Sequence, residues 1–478
     1  MSASLDTLQA GRLSRAAYSA RSGRARATPP VRIVHLGLGA FHRAHQAWFT
    51  AQVDEAGEWG IAAFTGRNAQ AALELQPQDG LFTLIERSEA ADAATIVTSI
   101  VEAVDGANLA RLLELLAAPT TSIVTLTITE AGYRFGIDGL PNADDPAVAA
   151  DVVWLRAAFS AATLPHDLAH GPTTTMGRLL LGLEARRRAG AEPIAVVPCD
   201  NIPDNGEFLA RGLGALARSV SPATAEWIAA SVSFVTTSVD RITPRTTPAD
   251  LNAAAALTGW CDDAAVVTEP FRDWVLSGRF PGGRPAWERA GARFVDDIAP
   301  FERRKLWMLN GAHSLLAYDG LLRGHDTVAE AMADPVCRAR VNNWWDAVVR
   351  WLPPQGLELE AYRGALLERF DNARIEHRLG QISGEAVTKL RVRIVPTVLA
   401  ERAAGRTAPS GLRAIGSWVA LVLRGYPFVD AESAAIAVVV ASGGDGAVAA
   451  LVALVDPRLA TDAALLADIR AVVAASAA

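Results

Sequence analysis

Val31-Arg-Ile-Val-His-Leu36, followed at once by Gly37-Leu-Gly39 and then by Ala40-Phe-His-Arg-Ala-His45, is the stretch that decides the fold. The first six residues are rich in β-branched side chains and hold no turn former, the pattern of a short buried strand. Glycines directly after such a strand permit a tight turn and a close backbone approach to a pyrophosphate. The helix that follows offers N–H donors and the positive end of its dipole. The segment from Phe41 to Val53 reads as that helix, with Phe41, Ala44, Trp48 and Val53 on one face. Gly37, Gly39, Phe41 and His42 are therefore candidate cofactor-binding residues. His42 stands where the usual fingerprint has a third glycine, and an ordinary strand–helix turn is the alternative reading.

Outward from this unit the chain alternates. Strand candidates are Gly60–Phe64, Leu81–Ile85, Ser122–Thr129, Ile194–Val197 and Ser231–Thr237, with helical stretches such as Leu109–Ala117 and Gly177–Ala189 between them. Such alternation indicates an α/β domain with a largely parallel sheet. In dinucleotide-binding sheets the second strand commonly ends in an acid that binds the ribose 2′-hydroxyl. Here the run is Ala63-Phe-Thr-Gly-Arg67, with no acid. Arg67 would suit a 2′-phosphate, so NAD is expected with NADP as the alternative.

From Pro300 onward the pattern turns helical: Phe301–Tyr318, Thr327–Met332, Val336–Trp351, Glu358–Arg369, Glu385–Leu390 and Gly411–Leu423. The turn-rich Pro281–Pro285 region and the strand-like Ala292–Val295 mark the boundary. The expected organisation is an arm over 1–29, an α/β domain over 30–296 and a mainly helical domain over 297–478. The Ala- and Val-rich stretch from Ala431 reads as packed helices.

The 478 residues include 45 basic and 52 acidic side chains, a net charge of −7, with half the residues hydrophobic. That supplies several cores and excludes a disordered chain. Mild acidity argues against nucleic acid as a partner, and no run reaches the length of a membrane span. Three scattered cysteines, Cys199, Cys261 and Cys337, rule out a disulfide framework and fit a reducing cytoplasm. Only two lysines occur, Lys305 and Lys389; every other basic side chain among the 45 is arginine. Arginine does not give up its proton in a protein and lysine does, so a site that needs a titrating base must keep its lysine.

Pro300-Phe-Glu-Arg-Arg-Lys-Leu-Trp-Met-Leu-Asn-Gly-Ala-His313 is the strongest local feature of the second half. At about 100° per residue, Glu302, Lys305, Asn310 and His313 fall within one arc of a helix. Its remaining positions are apolar nearly all round, which implies burial. A buried lysine loses proton affinity and serves as a general base; a structural Lys305–Glu302 pair is the alternative. Neither lysine follows a tyrosine at four residues, as short-chain dehydrogenases require, and the cysteines cannot supply the zinc set of zinc alcohol dehydrogenases. Metal-free hydride transfer with a lysine base is what remains.

Gly37-Leu-Gly-Ala-Phe-His-Arg-Ala-His-Gln46, Thr127-Ile-Thr-Glu-Ala-Gly-Tyr133, Cys199-Asp-Asn-Ile-Pro-Asp-Asn-Gly206, Phe234-Val-Thr-Thr-Ser-Val-Asp-Arg-Ile-Thr-Pro244, Thr268-Glu-Pro-Phe271 and Lys305-Leu-Trp-Met-Leu-Asn-Gly-Ala-His-Ser314 resemble the mannitol dehydrogenase family of polyol-specific long-chain dehydrogenases. The resemblance runs in order from residue 31 to residue 390. It implies an N-terminal Rossmann-type domain, a mostly helical C-terminal domain and an active site in the cleft between them. It also implies Lys305 as general acid-base, Asn201 and Asn310 as donors to the developing oxyanion, His313 as a substrate-orienting partner and Glu302 on a proton path. Asp240, Arg378 and Lys389 take substrate positions. A monomer or small homo-oligomer is expected.

The family divides by substrate: mannitol and fructose, arabinitol, mannitol 1-phosphate, or hexuronates such as fructuronate. Mannitol 2-dehydrogenases tend to carry an arginine nine residues after the asparagine that here is Asn372, and a lysine seventeen after it; here these are Gln381 and Lys389. His377-Arg-Leu-Gly-Gln-Ile382 is more similar to fructuronate reductases, while Ser383-Gly-Glu-Ala-Val-Thr-Lys389 departs from the Asp-Gly-Ser-x-Lys common to both. The expected activity is interconversion of a secondary alcohol and a ketone on a linear polyol or sugar acid, mannitol/fructose type. Fructuronate reduction is an alternative. From other classes come a catalytically silent nucleotide-binding protein and a sugar isomerase or lyase.

Overall fold

The computed structural model describes every residue except 1–10, 24–26, 137, 445 and 478. It forms two compact units, Met1–Ile298 and Ala299–Ala478.

The first unit is built on a six-stranded sheet: β1 (Val31–Leu36), β2 (Gly60–Phe64), β3 (Ile100–Val104), β4 (Ile123–Leu126), β5 (Ile194–Pro198) and β6 (Val232–Phe234). Their order across the sheet is β3-β2-β1-β4-β5-β6, and every pairing is parallel. This is the doubly wound arrangement in which the order reverses between β1 and β4 and opens a crevice beyond their carboxyl ends. Alternation along the strands serves two cores. In β1, Ile33 packs with Phe49, Trp274 and Trp287 on one face, while Val34 and Leu36 pack with Leu112, Leu180 and Leu213 on the other. Helices cover both faces, so the strands read as continuous apolar runs.

Two strand expectations are resolved differently. The run Phe82–Arg87 lies outside the main sheet, antiparallel to Asp92–Val97 and parallel to Val266–Thr268. The run Ser231–Thr237 divides at Val235: β6 ends at Phe234, and Thr236–Asp240 pairs instead with Asp273–Ser277. The side chain of Asn205 makes the break. Its carbonyl accepts from the Thr237 amide at 2.8 Å, and the Thr237 hydroxyl donates to the Pro198 carbonyl at 2.6 Å.

The stretch read as an arm is stitched to this unit over its described part. Gly11–Arg12 runs parallel to Trp260–Cys261, and Leu13 packs with Leu81 and Trp260. Ser14 caps the helix Arg15–Ser22. Arg15 donates to the carbonyls of Asp79, Thr98 and Ile100.

The second unit contains only helices and turns among its described residues, apart from one isolated bridge. The expected helices appear as Val328–Ala333, Pro335–Val348, Leu359–Asp371, Ala386–Arg393 and Pro409–Leu423, joined by Val395–Ala403. The stretch from Ala431 folds as Ser433–Ser442, Ala447–Val455, Pro457–Ala460 and Ala463–Ala477. No helix among the described residues is long and apolar enough to cross a membrane.

Candidate functional site

The carboxyl ends of β1, β4 and β5 border a cavity of about 490 Å³, lined among others by Phe41, Thr127, Thr129, Asn201 and Val239. A smaller groove on the other side of β1 is lined by Gly37, Thr65, Gly66 and Arg178. Gly37 is required where it stands. Its φ is 110°, and a Cβ there would lie 2.2 Å from the Thr127 carbonyl oxygen. The Gly37 and Leu38 amides donate to the Phe64 carbonyl at 2.9 and 2.8 Å, which closes the turn over β2. Gly39 precedes the first helical residue, Ala40. Arg67 is exposed just beyond the end of β2.

His42, in the third-glycine position, is fully buried and stacks on His35 of β1, with ring centroids 3.3 Å apart. An imidazole stack thus takes the place of the close helix–strand approach that a glycine would give. The tautomers follow from the partners. The Thr127 hydroxyl donates to the Gly37 carbonyl at 2.8 Å, so it accepts from His35 Nε2 at 3.0 Å, and His35 Nδ1 accepts from the Thr125 hydroxyl at 2.8 Å. Burial pushes His35 down to about 3 and holds His42 well below the usual imidazole range. Both are neutral at pH 7.

The predicted helix over Phe41–Val53 is not uniform. Ala40–His42 is α, Arg43–Ala47 is π and Trp48–Val53 is α. Arg241, fully buried, holds the widened turn. Its guanidinium donates to the Ala44 carbonyl at 2.6 Å, to the Glu269 carbonyl at 3.1 Å and to the Glu86 carboxylate. The backbone amide of the next residue, Ile242, donates to the Glu269 carboxylate at 2.5 Å. The Val-Asp-Arg-Ile and Thr-Glu-Pro-Phe motifs therefore form one clamp on the cofactor-turn helix, and they carry Asp240 with them. Arg241 is a residue to which sequence reasoning assigned no role.

Asn201 is exposed on the loop after β5. That loop is pinned by Asp200, which accepts from the Tyr133 hydroxyl and, at 3.0 Å, from the Ile202 amide. Burial raises the Asp200 carboxyl, against the lowering effect of the Tyr133 hydrogen bond. Asp240 is half-buried at the end of its strand, in register with Asp273.

In the second unit the helix read over Phe301–Tyr318 is again interrupted. Ala299–Arg304 is α, Lys305–Asn310 is π, and Gly311–Leu322 is α. The Gly311 amide donates to the Leu306 carbonyl, five residues back. In a regular α-helix Lys305 and Asn310 would stand about 140° apart. The wider π turn rotates less per residue and brings them nearer one face. Indole donors support the widened turn: Trp344 Nε1 to the Trp307 carbonyl at 2.9 Å, and Trp345 Nε1 to the Met308 carbonyl at 2.8 Å. A Cβ on Gly311 would lie 2.7 Å from the Trp344 ring, so the close fit of that indole needs glycine. Glu302, Lys305 and Asn310 are half-buried, while His313 is buried beside Phe370 and His377, with centroids 4.8 and 4.7 Å away. Burial, reinforced by His377, Arg369, Arg393 and Lys389, holds His313 well below the usual imidazole range.

Lys389 is half-buried and donates to the Ile382 carbonyl at 2.9 Å. Burial and then Arg393 bring its ammonium down to about 8. Arg378 is not part of this cluster; it is exposed and paired with Glu376 at 2.8 Å. A mixed triad, His325, Asp334 and Cys337, has ligand atoms within 4.8 Å of one another. Arg323 is already bound to Asp334 at 2.6 Å, and burial lifts the Cys337 thiol to about 12, chemistry poorly suited to a metal.

A family model described as the mannitol dehydrogenase Rossmann domain matches residues 31–289, and one described as the mannitol dehydrogenase C-terminal domain matches residues 297–461. The D-mannonate oxidoreductase of Escherichia coli (strain K12) is 35% identical over 378 residues, which cover 77% of this chain and 75% of that protein. A mannitol 2-dehydrogenase of Aspergillus fumigatus is 36% identical over 380 residues, with 77% and 73% covered. The solved structure of Pseudomonas fluorescens mannitol 2-dehydrogenase, a ternary complex with NAD and D-mannitol, is similar with a TM-score of 0.75 and 31% identity. That likeness covers 94% of this chain and 92% of the other.

Proposed function

The chain belongs to the mannitol dehydrogenase family, and on that premise we propose that it interconverts the secondary alcohol and ketone of a linear sugar or polyol, with NAD as its cofactor. The observation that carries this is the pairing of two built features: a doubly wound sheet with a glycine-only turn at its switch point, and a supported π segment that begins at Lys305 and ends at Asn310.

The residues of the first unit fit a dinucleotide. Gly37 leaves free the space that a Cβ would fill, and Gly39 leads into a helix N-terminus. Phe41 and Asn201 line the cavity beyond the strand ends. Arg67, with no acid on its strand end, keeps NADP as the second cofactor reading. When bound, the nicotinamide ring supplies the hydride acceptor or donor.

The chain's own groups do the rest. Lys305 takes the proton from the hydroxyl during oxidation and returns it during reduction, the role of a positioned general acid-base. The Asn201 and Asn310 amides donate to the oxygen as it gains negative charge. His313 orients a neighbouring hydroxyl, and Glu302 passes the proton on towards solvent. Asp240 and Lys389 hold the substrate. Assaying fructose, fructuronate, tagaturonate, fructose 6-phosphate and arabinitol with NAD(H) and NADP(H), by nicotinamide absorbance, tests the proposal. A folded protein inactive across that panel in both directions would refute it.

A further inference from the structure

Helix Thr175–Ala189 carries Arg178, whose side chain lines the groove at the ends of β1, β2 and β3 together with Gly37, Thr65, Gly66 and Gly106. Two contacts fix the guanidinium. Its Nε donates to the Pro172 carbonyl at 3.3 Å. Its Nη1 lies against Gly106, where a Cβ would come within 2.9 Å of that nitrogen and 2.1 Å of the Thr65 carbonyl oxygen. Glycine is thus required at 106 by the end of β2 on one side and by the arginine on the other. The Gly106 amide is spent on the Thr65 hydroxyl at 2.9 Å, which ties the two strand ends together. Nη1 and Nη2 of Arg178 have no acceptor among the described residues.

The acids that act on Arg178 are Asp151 and Asp105, and neither forms an ion pair with it. Asp151 is buried and accepts from the Thr173 and Thr174 amides at 2.8 and 2.9 Å and from the Thr174 hydroxyl at 2.6 Å. Asp105 is exposed and accepts from the Ala107 amide at 3.0 Å. A half-buried guanidinium has given up part of its hydration, which is costly until an acceptor replaces the lost water. Two unused amino groups on one planar fork match the oxygens of a phosphate. Place narrows the ligand further. In a doubly wound sheet the ends of β1, β2 and β3 form the half that takes the adenosine side of a dinucleotide.

We propose that Arg178 is a cofactor-binding residue that holds a phosphate group on the adenosine half of the dinucleotide. The inference rests on the dinucleotide reading above and adds to it a charged grip from a helix outside the glycine turn. Two groups share this chemistry: the diphosphate bridge, common to NAD and NADP, and the 2′-phosphate of NADP.

The test is binding rather than turnover: calorimetry of NADH, NADPH, ADP-ribose and adenosine on the full chain and on Arg178→Gln and Arg178→Lys. Loss of a charge-assisted hydrogen-bond pair should weaken the phosphate-bearing ligand about tenfold to a hundredfold in Arg178→Gln. Adenosine affinity should be unchanged. A loss shared by NADH, NADPH and ADP-ribose assigns the diphosphate, and a loss confined to NADPH assigns the 2′-phosphate. Arg178→Lys should recover part of the loss, since it restores charge but not the fork. Added salt should weaken the wild-type complex more steeply than the Arg178→Gln complex, because the variant lacks one screened ion contact. A purely structural arginine would leave the two salt dependences equal, and that result overturns the proposal. If Arg178→Gln does not fold, Arg178→Lys carries the same comparison, with a loss of about threefold to tenfold. Unchanged affinity for all three phosphate-bearing ligands, or an equal loss for adenosine, also overturns it. Wild-type protein that binds neither NADH nor NADPH sinks the dinucleotide reading together with this inference, whereas wild-type binding that both variants retain sinks the role of Arg178 alone.

Discussion

Replacing Trp345 by phenylalanine removes one N–H and little else of the ring's function, and it tests whether the π segment is built for chemistry. Trp345 is fully buried, and its Nε1 donates to the Met308 carbonyl at 2.8 Å. In Trp345→Phe that carbonyl loses its indole donor and keeps the Gly311 amide, at a cost of about 1 kcal/mol, and the smaller ring leaves a cavity that adds about 1 kcal/mol. A loss of about 2 kcal/mol is therefore expected by urea unfolding. The carbonyl's way out is to re-form an ordinary i→i+4 bond, and the segment then tightens to α. Asn310 would swing away from Lys305, and an oxyanion donor lost in this way costs about 10²–10³ in kcat. Single-turnover reduction should therefore fall at least about a hundredfold with NADH affinity unchanged. Trp418→Phe is the matched control: that indole is also fully buried, and its N–H has no hydrogen-bond partner. It should cost packing only and leave turnover alone. Equal turnover in both variants would refute the link between the π turn and the chemistry.

Lys305→Arg keeps the charge and removes a group able to deprotonate, so the chemical step should drop by about 10²–10⁴ while cofactor affinity holds; a near-normal rate and pH profile would remove Lys305 as the base. Gly37→Ala places a methyl 2.2 Å from the Thr127 carbonyl at a φ of 110°, so NADH fluorescence titration should show binding lost or the protein destabilised; normal binding and melting would deny the turn its role. Acid should weaken the first unit. His35 falls from 6.5 to about 3 on burial, so its stabilising contribution is complete above the unfolded value and is lost as pH falls. Each such imidazole then costs about 1.4 kcal/mol per pH unit below about 6.5. Melting temperatures that stay level from pH 7 to pH 5 would contradict this.

The sheet was legible from Val31–Leu36 outward because a fully covered parallel strand must be apolar on both faces, and local composition records that burial. The assignment of Phe82–Arg87 and Thr236–Asp240 to other sheets was not legible. Both are decided by partners far along the chain, Val266–Thr268 and Asp273–Ser277, and Asn205 sets the break at Val235. At the site, residue types were readable and their geometry was not. Arg378 was expected at a substrate position, yet its neighbour His377 lies against His313 while Arg378 faces outward to Glu376. The two lysines stood out by rarity, but only burial together with Arg393 shows Lys389 as the ammonium drawn down to about 8.

The two π segments explain what helical periodicity leaves out of both motifs. Each is stabilised from outside its own window: Arg241 donates to the Ala44 carbonyl from 197 residues away, and Trp344 and Trp345 donate to Trp307 and Met308 from 37 residues away. A widened turn leaves a backbone carbonyl without its regular amide partner, and a buried carbonyl without a donor is costly. Each π turn therefore depends on a side-chain donor held rigidly elsewhere. The sequence does carry a trace of this dependence, in an arginine that follows an acid inside an apolar strand end and in a tandem of tryptophans on a core helix. Neither trace names its acceptor. A periodicity of about 100° per residue places Lys305 and Asn310 at the two ends of one arc, about 140° apart, and the donors that draw them closer become visible only once the chain has folded back on itself.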